Sequence, residues 1–147
     1  MTTQTSLHIV CPHCQTTNRV QAADLASAPD CGQCHRQLFE GHPASPDEAA
    51  FERHLSRDQI PVLVDFWAPW CGPCRQMAPA YEQAAAQLEP QVRVLKVDTE
   101  AMPNLGARFN IRSIPTLVLF QNGRELTRRA GALGSNDIVR WVRSNLT

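Results

Sequence analysis

The sequence is poor in lysine, in net charge and in long apolar runs. Lys96 is the only lysine among 14 basic residues, which 14 acidic residues balance. A neutral chain carries no overall electrostatic signal for nucleic acid or a membrane surface. No apolar run approaches the roughly 20 residues that span a bilayer, and the N-terminus lacks the basic and apolar regions of a secretory signal. We therefore expect no nucleic-acid or membrane partner and a cytoplasmic location.

Cysteine is what the sequence does have. All six cysteines lie in C-x-x-C pairs: Cys11 and Cys14, Cys31 and Cys34, and Cys71 and Cys74. Without an export signal, a disulfide scaffold of the secreted type is a poor explanation for them. Metal ligands and a redox pair in a reducing compartment fit better.

The chain changes character near residue 40. Residues 1–40 hold four of the cysteines and few large apolar side chains, whereas 45–147 carry regular strand and helix patterns. Residues 41–44 contain Gly and Pro, which punctuate chains at linkers. We expect an N-terminal module over 1–40, a linker over 41–44 and an α/β domain over 45–147.

The α/β domain alternates predicted strands with predicted helices. An Asn-Gly turn predicts a hairpin that returns an edge strand. A βαβ unit followed by a hairpin and a helix gives a mixed central sheet with helices on both faces. The predicted strands are 62–67, 92–97, 116–120 and 125–130, and the predicted helices are one capped by Ser45, 72–88, 102–109 and one capped by Ser135 or Asn136.

The two N-terminal cysteine pairs have the spacing of a zinc site. Sixteen residues separate Cys14 from Cys31, which is within the range for paired zinc-binding C-x-x-C motifs. Four thiolates would fill a tetrahedral site, so the metal, held by Cys11, Cys14, Cys31 and Cys34, would be structural. It would also stabilise a segment with little core. Two alternatives stay open: a second redox centre at Cys11 and Cys14, and replacement of one cysteine by His8, His13 or His35.

Cys71 and Cys74 lie where a buried strand meets a helix. Residues i and i+3 of a helix share one face, with Cβ atoms about 5–6 Å apart, and a disulfide needs only a small adjustment to about 3.8 Å. Because a helix N-terminus favours negative charge, we expect a Cys71 thiolate to attack and a more shielded Cys74 to resolve the mixed disulfide. Two packed thiols or half of a metal site are the alternative.

Three segments resemble the thioredoxin family. Residues 64–75 resemble its active-site segment, residues 111–117 its cis-proline segment, and residues 130–133 its glycine-bearing loop. The N-terminal pairs are similar to the extension of the zinc-containing second thioredoxin of bacteria. The resemblance implies a thioredoxin fold with a small N-terminal zinc ribbon, and a protein-disulfide reductase.

The resemblance also implies roles for single residues. Asp65 would assist proton transfer at Cys74 with Lys96 as its partner, although the residues alone leave open an Asp at a strand edge and an ordinary strand lysine. Pro115 would be cis, an isomer that the sequence by itself does not fix. An apolar docking surface would surround Cys71, formed by Trp70, Gly72, Pro73, Ile114, Pro115, Gly131 and Ala132.

Partners and cofactors follow from the same resemblance. It implies oxidised protein substrates, a monomer, and a thioredoxin reductase that recharges the dithiol and carries the NADPH and flavin, so that structural Zn²⁺ is the only cofactor of this chain. Gly-Pro between Cys71 and Cys74 resembles the reducing members of the family. The alternatives are a zinc-centred redox sensor that unfolds when oxidation expels the metal and an exported oxidase or isomerase.

Overall fold

The computed structural model describes residues 5–146. Near the N-terminus, strands β1 (Ser6–Val10) and β2 (Thr17–Gln21) form an antiparallel hairpin that precedes a 3₁₀ helix, Ala22–Ser27. The remaining elements are α1 (Glu48–Arg57), β3 (Val62–Trp67), α2 (Gly72–Leu88), β4 (Arg93–Asp98), α3 (Pro103–Arg108), β5 (Thr116–Gln121), β6 (Arg124–Ala130) and α4 (Ser135–Ser144).

The main sheet has four strands in the order β4-β3-β5-β6. β3 and β4 are parallel and joined by α2, whereas β5 pairs antiparallel with both β3 and β6. Alternate residues of β3 face opposite sides, because side chains of a strand have a period of two. Leu63 packs in a cluster with residues of α2 and α4, and Val64 in a cluster with Phe51 of α1 and Leu105 of α3. The mixed sheet with helices on both faces is therefore confirmed.

The N-terminal hairpin has a small apolar cluster of its own. Ile9, Val20 and Leu38 are buried in it, together with Ile60 from the segment that leads into β3. The hairpin module thus completes its core with a residue of the larger domain.

Two predicted helix caps are wrong. α1 begins at Glu48, where the Asp47 carboxylate accepts a hydrogen bond from the Ala50 N–H at 2.8 Å, so Ser45 is not its cap. The cause lies just upstream: Ala44 forms a parallel bridge with Leu95 at the outer edge of β4, which holds the chain extended there. α4 follows Gly134 and has no side-chain cap. Within residues 5–146 no helix is long and apolar enough to cross a membrane.

Candidate active site and metal centre

The dithiol lies at the junction of β3 and α2. Cys71 is the N-cap of α2, and its Sγ accepts a hydrogen bond from the Cys74 N–H at 3.2 Å. Cys71 and Cys74 form a disulfide with their Cα atoms 5.2 Å apart. Pro73 occupies the first turn of the helix, where a missing N–H costs nothing. The helix dipole and its free N–H groups therefore point at the Cys71 sulfur and favour a thiolate there.

Cys71 is as buried as Cys74, contrary to the expected difference in shielding. Their exposed fractions are 4% and 3%. The cause is the loop before β5, since the carbonyl oxygen of Ile114 lies 3.7 Å from the Cys71 Sγ. A loop distant in sequence thus covers the cysteine that the helix leaves open.

Asp65 is a carboxyl group in the middle of the buried strand β3. It is 1% exposed, and its Oδ1 has no hydrogen-bond partner within the described part of the chain. Burial raises the pKa of Asp65 to about 7, and the positive charge of Lys96 partly opposes that rise. The solvent-facing alternative is excluded, and a carboxyl with this pKa exchanges protons near neutral pH.

Lys96 lies beside Asp65 in the parallel ladder between β3 and β4. Its ammonium group lies 4.3 Å from the centroid of the Trp67 ring, in a cation–π contact. No salt bridge within 4.0 Å joins Lys96 to Asp65 among residues 5–146. Lys96 therefore acts on the Asp65 carboxyl through its field alone.

The loops around the disulfide form a shallow surface. The Ile114–Pro115 peptide bond is cis, and the Pro115 carbonyl accepts a hydrogen bond from the Gly131 N–H at 2.9 Å. Trp70 is 67% exposed. Beside Trp70 and Ile114 the surface deepens into a groove of about 320 Å³. Pro73, Gly131 and Ala132 are also exposed, and Gly72 is half-buried. An apolar segment of another protein has room to lie against the disulfide here.

The four N-terminal cysteines converge on one point. Their Sγ atoms all lie within 4.8 Å of one another, and two of the distances, Cys11–Cys34 and Cys14–Cys31, are 3.6 Å. Tetrahedral zinc with Zn–S bonds of about 2.3 Å requires sulfurs about 3.8 Å apart. All four are free thiols, which distinguishes them from Cys71 and Cys74. The donor set therefore fits zinc without a histidine.

Each cysteine pair of the metal centre sits on a tight turn. The His13 N–H donates to the Cys11 Sγ at 3.3 Å, and the Gln33 N–H donates to the Cys31 Sγ at 3.4 Å. At Cys31 burial raises the pKa, but hydrogen bonds from Cys34, Asn18 and Gln33 outweigh it and lower the pKa to about 6. At Cys11 burial dominates and raises the pKa to about 12. A bound divalent cation would favour the thiolate form at all four positions.

Comparison with known proteins decides the family. The family model described as Thioredoxin matches residues 43–144. The chain belongs to the thioredoxin family. A second model, described as Thioredoxin 2, N-terminal, matches residues 10–36. The chain is therefore a protein-disulfide oxidoreductase with the thioredoxin fold and an N-terminal zinc-ribbon module.

Relatives agree with this assignment. The chain is 46% identical to Thioredoxin C-3 of Corynebacterium nephridii over 138 residues, which cover 94% of each chain. It is 41% identical to Thioredoxin 1 of Synechococcus elongatus over 103 residues, 70% of this chain and 96% of the relative. The solved structure of a chloroplastic thioredoxin z superposes with a TM-score of 0.65 at 27% identity, covering 71% of this chain and 94% of that one.

The thioredoxin domain has site features that the sequence pattern did not indicate. The cis-proline segment over 111–117 contributes four of the nine groove residues, and another four come from α3 and the loop before it. Those residues carry no local signal, because packing of α3 beside the cis-proline loop brings them there. The groove residues outside the predicted docking surface are Thr99, Pro103, Gly106, Ala107, Ile111, Arg112 and Ser113.

Proposed function

We propose that Cys71 and Cys74 reduce protein disulfides in two steps. The Cys71 thiolate attacks one sulfur of the target disulfide, forms a mixed disulfide and releases the other target sulfur as a thiolate. The Cys74 thiolate then attacks the Cys71 sulfur, which frees the second target thiol and leaves the Cys71–Cys74 disulfide. The target gains two electrons and the dithiol loses two. The position of the Cys71 Sγ at the N-terminus of α2 is the observation that carries this proposal.

Asp65 and Lys96 act on the proton of the second step. Cys74 must lose its proton before it attacks, and a buried carboxyl with a pKa of about 7 accepts a proton at neutral pH. Lys96 keeps this pKa from rising further, because its positive charge favours the carboxylate. In the reverse direction, when a reductase recharges the disulfide, Asp65 returns the proton.

The substrate docks on the surface around Cys71. An extended peptide would bond to the free backbone edge at Ile114, a short form of strand addition. The apolar contacts would come from Trp70, Gly72, Pro73, Gly131 and Ala132, because Pro115 is itself buried. The exposure of Trp70, which is 67%, supports a binding role, since a large aromatic ring in contact with water is favourably buried by a partner.

Cys11, Cys14, Cys31 and Cys34 hold a structural Zn²⁺. Four thiolates leave no open position for substrate or water, so the metal supplies folding energy and not catalysis. The module over 1–40 is then the zinc ribbon, 41–44 its linker, and 45–147 the thioredoxin domain. The protein works as a cytoplasmic monomer on oxidised proteins, without a nucleic-acid or membrane partner. A thioredoxin reductase that carries the NADPH and flavin recharges it.

Trapping the mixed disulfide tests the mechanism. We expect the reduced Cys74→Ser variant to form a stable mixed disulfide with the disulfide-bonded chains of insulin. Mass spectrometry detects this adduct, and dithiothreitol releases it. The Cys71→Ser variant is the matched control and should trap nothing. If Cys71→Ser traps an adduct at Cys74 and Cys74→Ser does not, the order of attack is the reverse.

Metal content and thiol counts test the ribbon. We expect one zinc per chain in the purified reduced protein. Mild oxidation should remove two of six titratable thiols, because the four zinc-bound thiolates are protected. Loss of six thiols, or protein without zinc after folding in a zinc-containing medium, would contradict the structural site.

A further inference from the structure

Four charged or titratable side chains lie buried at the end of the sheet away from the dithiol. Their exposed fractions are 0% for His54, 3% for Asp58, 8% for Glu89 and 1% for Arg93. None of them takes part in the thiol chemistry. Buried charged groups are costly unless they are paired and hydrogen-bonded, so their partners indicate what they do.

The partners of Asp58 and Arg93 include the zinc ribbon. The Asp58 Oδ1 accepts a hydrogen bond from the Val10 N–H at 2.7 Å, and the Arg93 Nη2 donates one to the Val10 carbonyl at 3.0 Å. Val10 directly precedes Cys11, one of the four clustered cysteines. Two residues earlier, the His8 N–H donates to the Gln59 side chain and the His8 carbonyl accepts from the Gln59 N–H, at 2.8 and 2.9 Å. The outer edge of β1 is therefore bonded to the thioredoxin domain.

Two uncharged groups of the ribbon, the Val10 peptide and the Phe39 ring, contact a cluster whose ion pairs lie within the thioredoxin domain. Arg93 has its Nε 3.7 Å from the Asp58 carboxylate and its Nη1 3.5 Å from the Glu89 carboxylate. The ring of Phe39, a residue of the ribbon, covers the guanidinium with its centroid 4.2 Å from Cζ. His54 bonds the other Asp58 oxygen at 2.7 Å. If the ribbon detached, Arg93 would lose its carbonyl acceptor and its cover at the same time.

We propose that Arg93 and Asp58 latch the ribbon to the thioredoxin domain, so that metal binding in the ribbon stabilises the fold of the reductase. This inference rests on the structural zinc proposed above. A ligand that binds only the folded state raises stability, and the latch extends that gain from the ribbon to β3 and β4. Arg93 is joined to the start of β3 by the hydrogen bond from its N–H to the Pro61 carbonyl, 2.8 Å.

The latch is remote from the disulfide. Val62 begins β3 at the ribbon end and Trp67 ends it near Cys71. Five steps along a strand amount to about 17 Å. We therefore expect the coupling to change the stability of the thioredoxin domain and to leave its dithiol chemistry at 25 °C nearly unchanged.

A cycle of metal removal and substitution tests the latch. All three tryptophans, Trp67, Trp70 and Trp141, lie in the thioredoxin domain, so their fluorescence reports its unfolding and not that of the ribbon. Melting is followed for the full chain with zinc and with EDTA, in both cases in the same phosphine reductant, so that the freed thiols and the dithiol are reduced in both samples. In the wild type we expect EDTA to lower the Tm by about 5 °C or more. In Arg93→Met the EDTA effect should fall to less than half, while Arg57→Met, which removes an exposed cation beside Asp58, should behave as the wild type.

The outcomes separate the latch from the metal site. Zinc content is measured first, and a chain without zinc contradicts the structural site itself. If zinc is bound but EDTA leaves the tryptophan-reported Tm of the wild type unchanged, or lowers it equally in Arg93→Met, the latch is wrong. Should Arg93→Met not fold, hydrogen exchange of the wild type decides instead: the latch requires EDTA to speed exchange in 58–62 and 93–95, and unchanged exchange there overturns it.

Discussion

The dithiol motif, Cys71–Cys74, has the same backbone turn as the two metal-binding turns, Cys11–Cys14 and Cys31–Cys34. In each, the N–H four residues after the first cysteine donates to the carbonyl of that cysteine: Gln15 to Cys11 at 3.0 Å, His35 to Cys31 at 2.9 Å and Arg75 to Cys71 at 3.1 Å. They diverge at this residue. Gln15 and His35 take left-handed φ values of 64° and 66°, whereas Arg75 continues the helix.

This divergence decides which cysteines meet. After Gln15 and His35 the chain reverses, and the Cys11 and Cys31 N–H groups bond to carbonyls five residues on, at Thr16 and Arg36. The reversal presents the two N-terminal pairs to each other. After Arg75 the helix runs on for three more turns, so Cys71 and Cys74 have only each other and a substrate as partners. The same C-x-x-C spacing therefore serves two chemistries, and the backbone after the turn selects between them.

Removing one cysteine from each kind of pair gives the largest expected contrast. Cys71→Ser should lower insulin reduction at least about a thousandfold, because no other side chain replaces the nucleophile, while zinc stays bound. Cys11→Ser should lose zinc, since three thiolates and a hydroxyl bind it poorly, yet keep reductase activity at 25 °C within about threefold. Activity assays and metal analysis of the two variants check this. Loss of activity in Cys11→Ser with the domain still folded would make the metal-binding turns part of the chemistry.

Asp65→Asn removes the buried carboxyl that is proposed to accept the Cys74 proton. The metal-binding turns have no corresponding group. We expect insulin reduction at pH 7 to fall about tenfold, because proton transfer assists one of the two steps. The same substitution should stabilise the protein. The folded-state pKa of about 7 exceeds the ordinary 3.8, so the wild type loses stability as pH rises from about 4 to about 7.

The pH dependence provides the control for Asp65→Asn. The gain in free energy of unfolding should be near zero below pH 4 and reach up to about 4 kcal/mol above pH 7. Urea unfolding of the oxidised protein at pH 3.5 and pH 8 measures it. An equal gain at both pH values would mean that ionisation of Asp65 is not its cause.

Lys96→Met should have a smaller effect in a known direction. Lys96 lowers the pKa of Asp65, so its removal should raise that pKa further. The pH above which Asp65 is ionised and can accept the Cys74 proton should then be higher, and the activity should rise only at that higher pH. At pH 7 we expect less than a tenfold change in rate. NMR titration of the Asp65 carboxyl checks the shift, with Arg124→Met as a control that removes an exposed cation at the start of β6. A downward shift in Lys96→Met would exclude Lys96 as the partner.

His35→Gly should have the smallest effect and acts only on a metal-binding turn. A non-glycine residue in the left-handed region costs about 1 kcal/mol, and glycine does not pay this cost. We expect zinc release on heating to require a temperature a few degrees higher. Gln33→Gly, in the same turn but without a positive φ, should not raise it. Equal gains in both variants would remove backbone strain as the explanation.

Local patterns predicted most of the elements and the cysteine chemistry. The strands of the main sheet were found within one residue, because near-continuous apolar runs such as Val62–Trp67 have few alternative structures. The predicted caps of α1 and α4 were wrong. For α1 the reason is the bridge between Ala44 and Leu95, two residues 51 positions apart, which holds the chain before the helix extended. The latch residues were missed for the same reason. A lone Arg93 at the head of an apolar strand gives no sign of which backbone it will bond.

The amino-acid sequence by itself determined that the two cysteines of each motif lie on one turn, because a C-x-x-C spacing fixes geometry over a single turn. It also determined the strand that buries Asp65, through the apolar residues on either side. Only the tertiary structure decided that Ile114 covers Cys71, that Lys96 tunes Asp65 without touching it, and that Arg93 bonds the ribbon. Each of these depends on distances between residues far apart along the chain, which the packing of helices on a twisted sheet sets and no local pattern records.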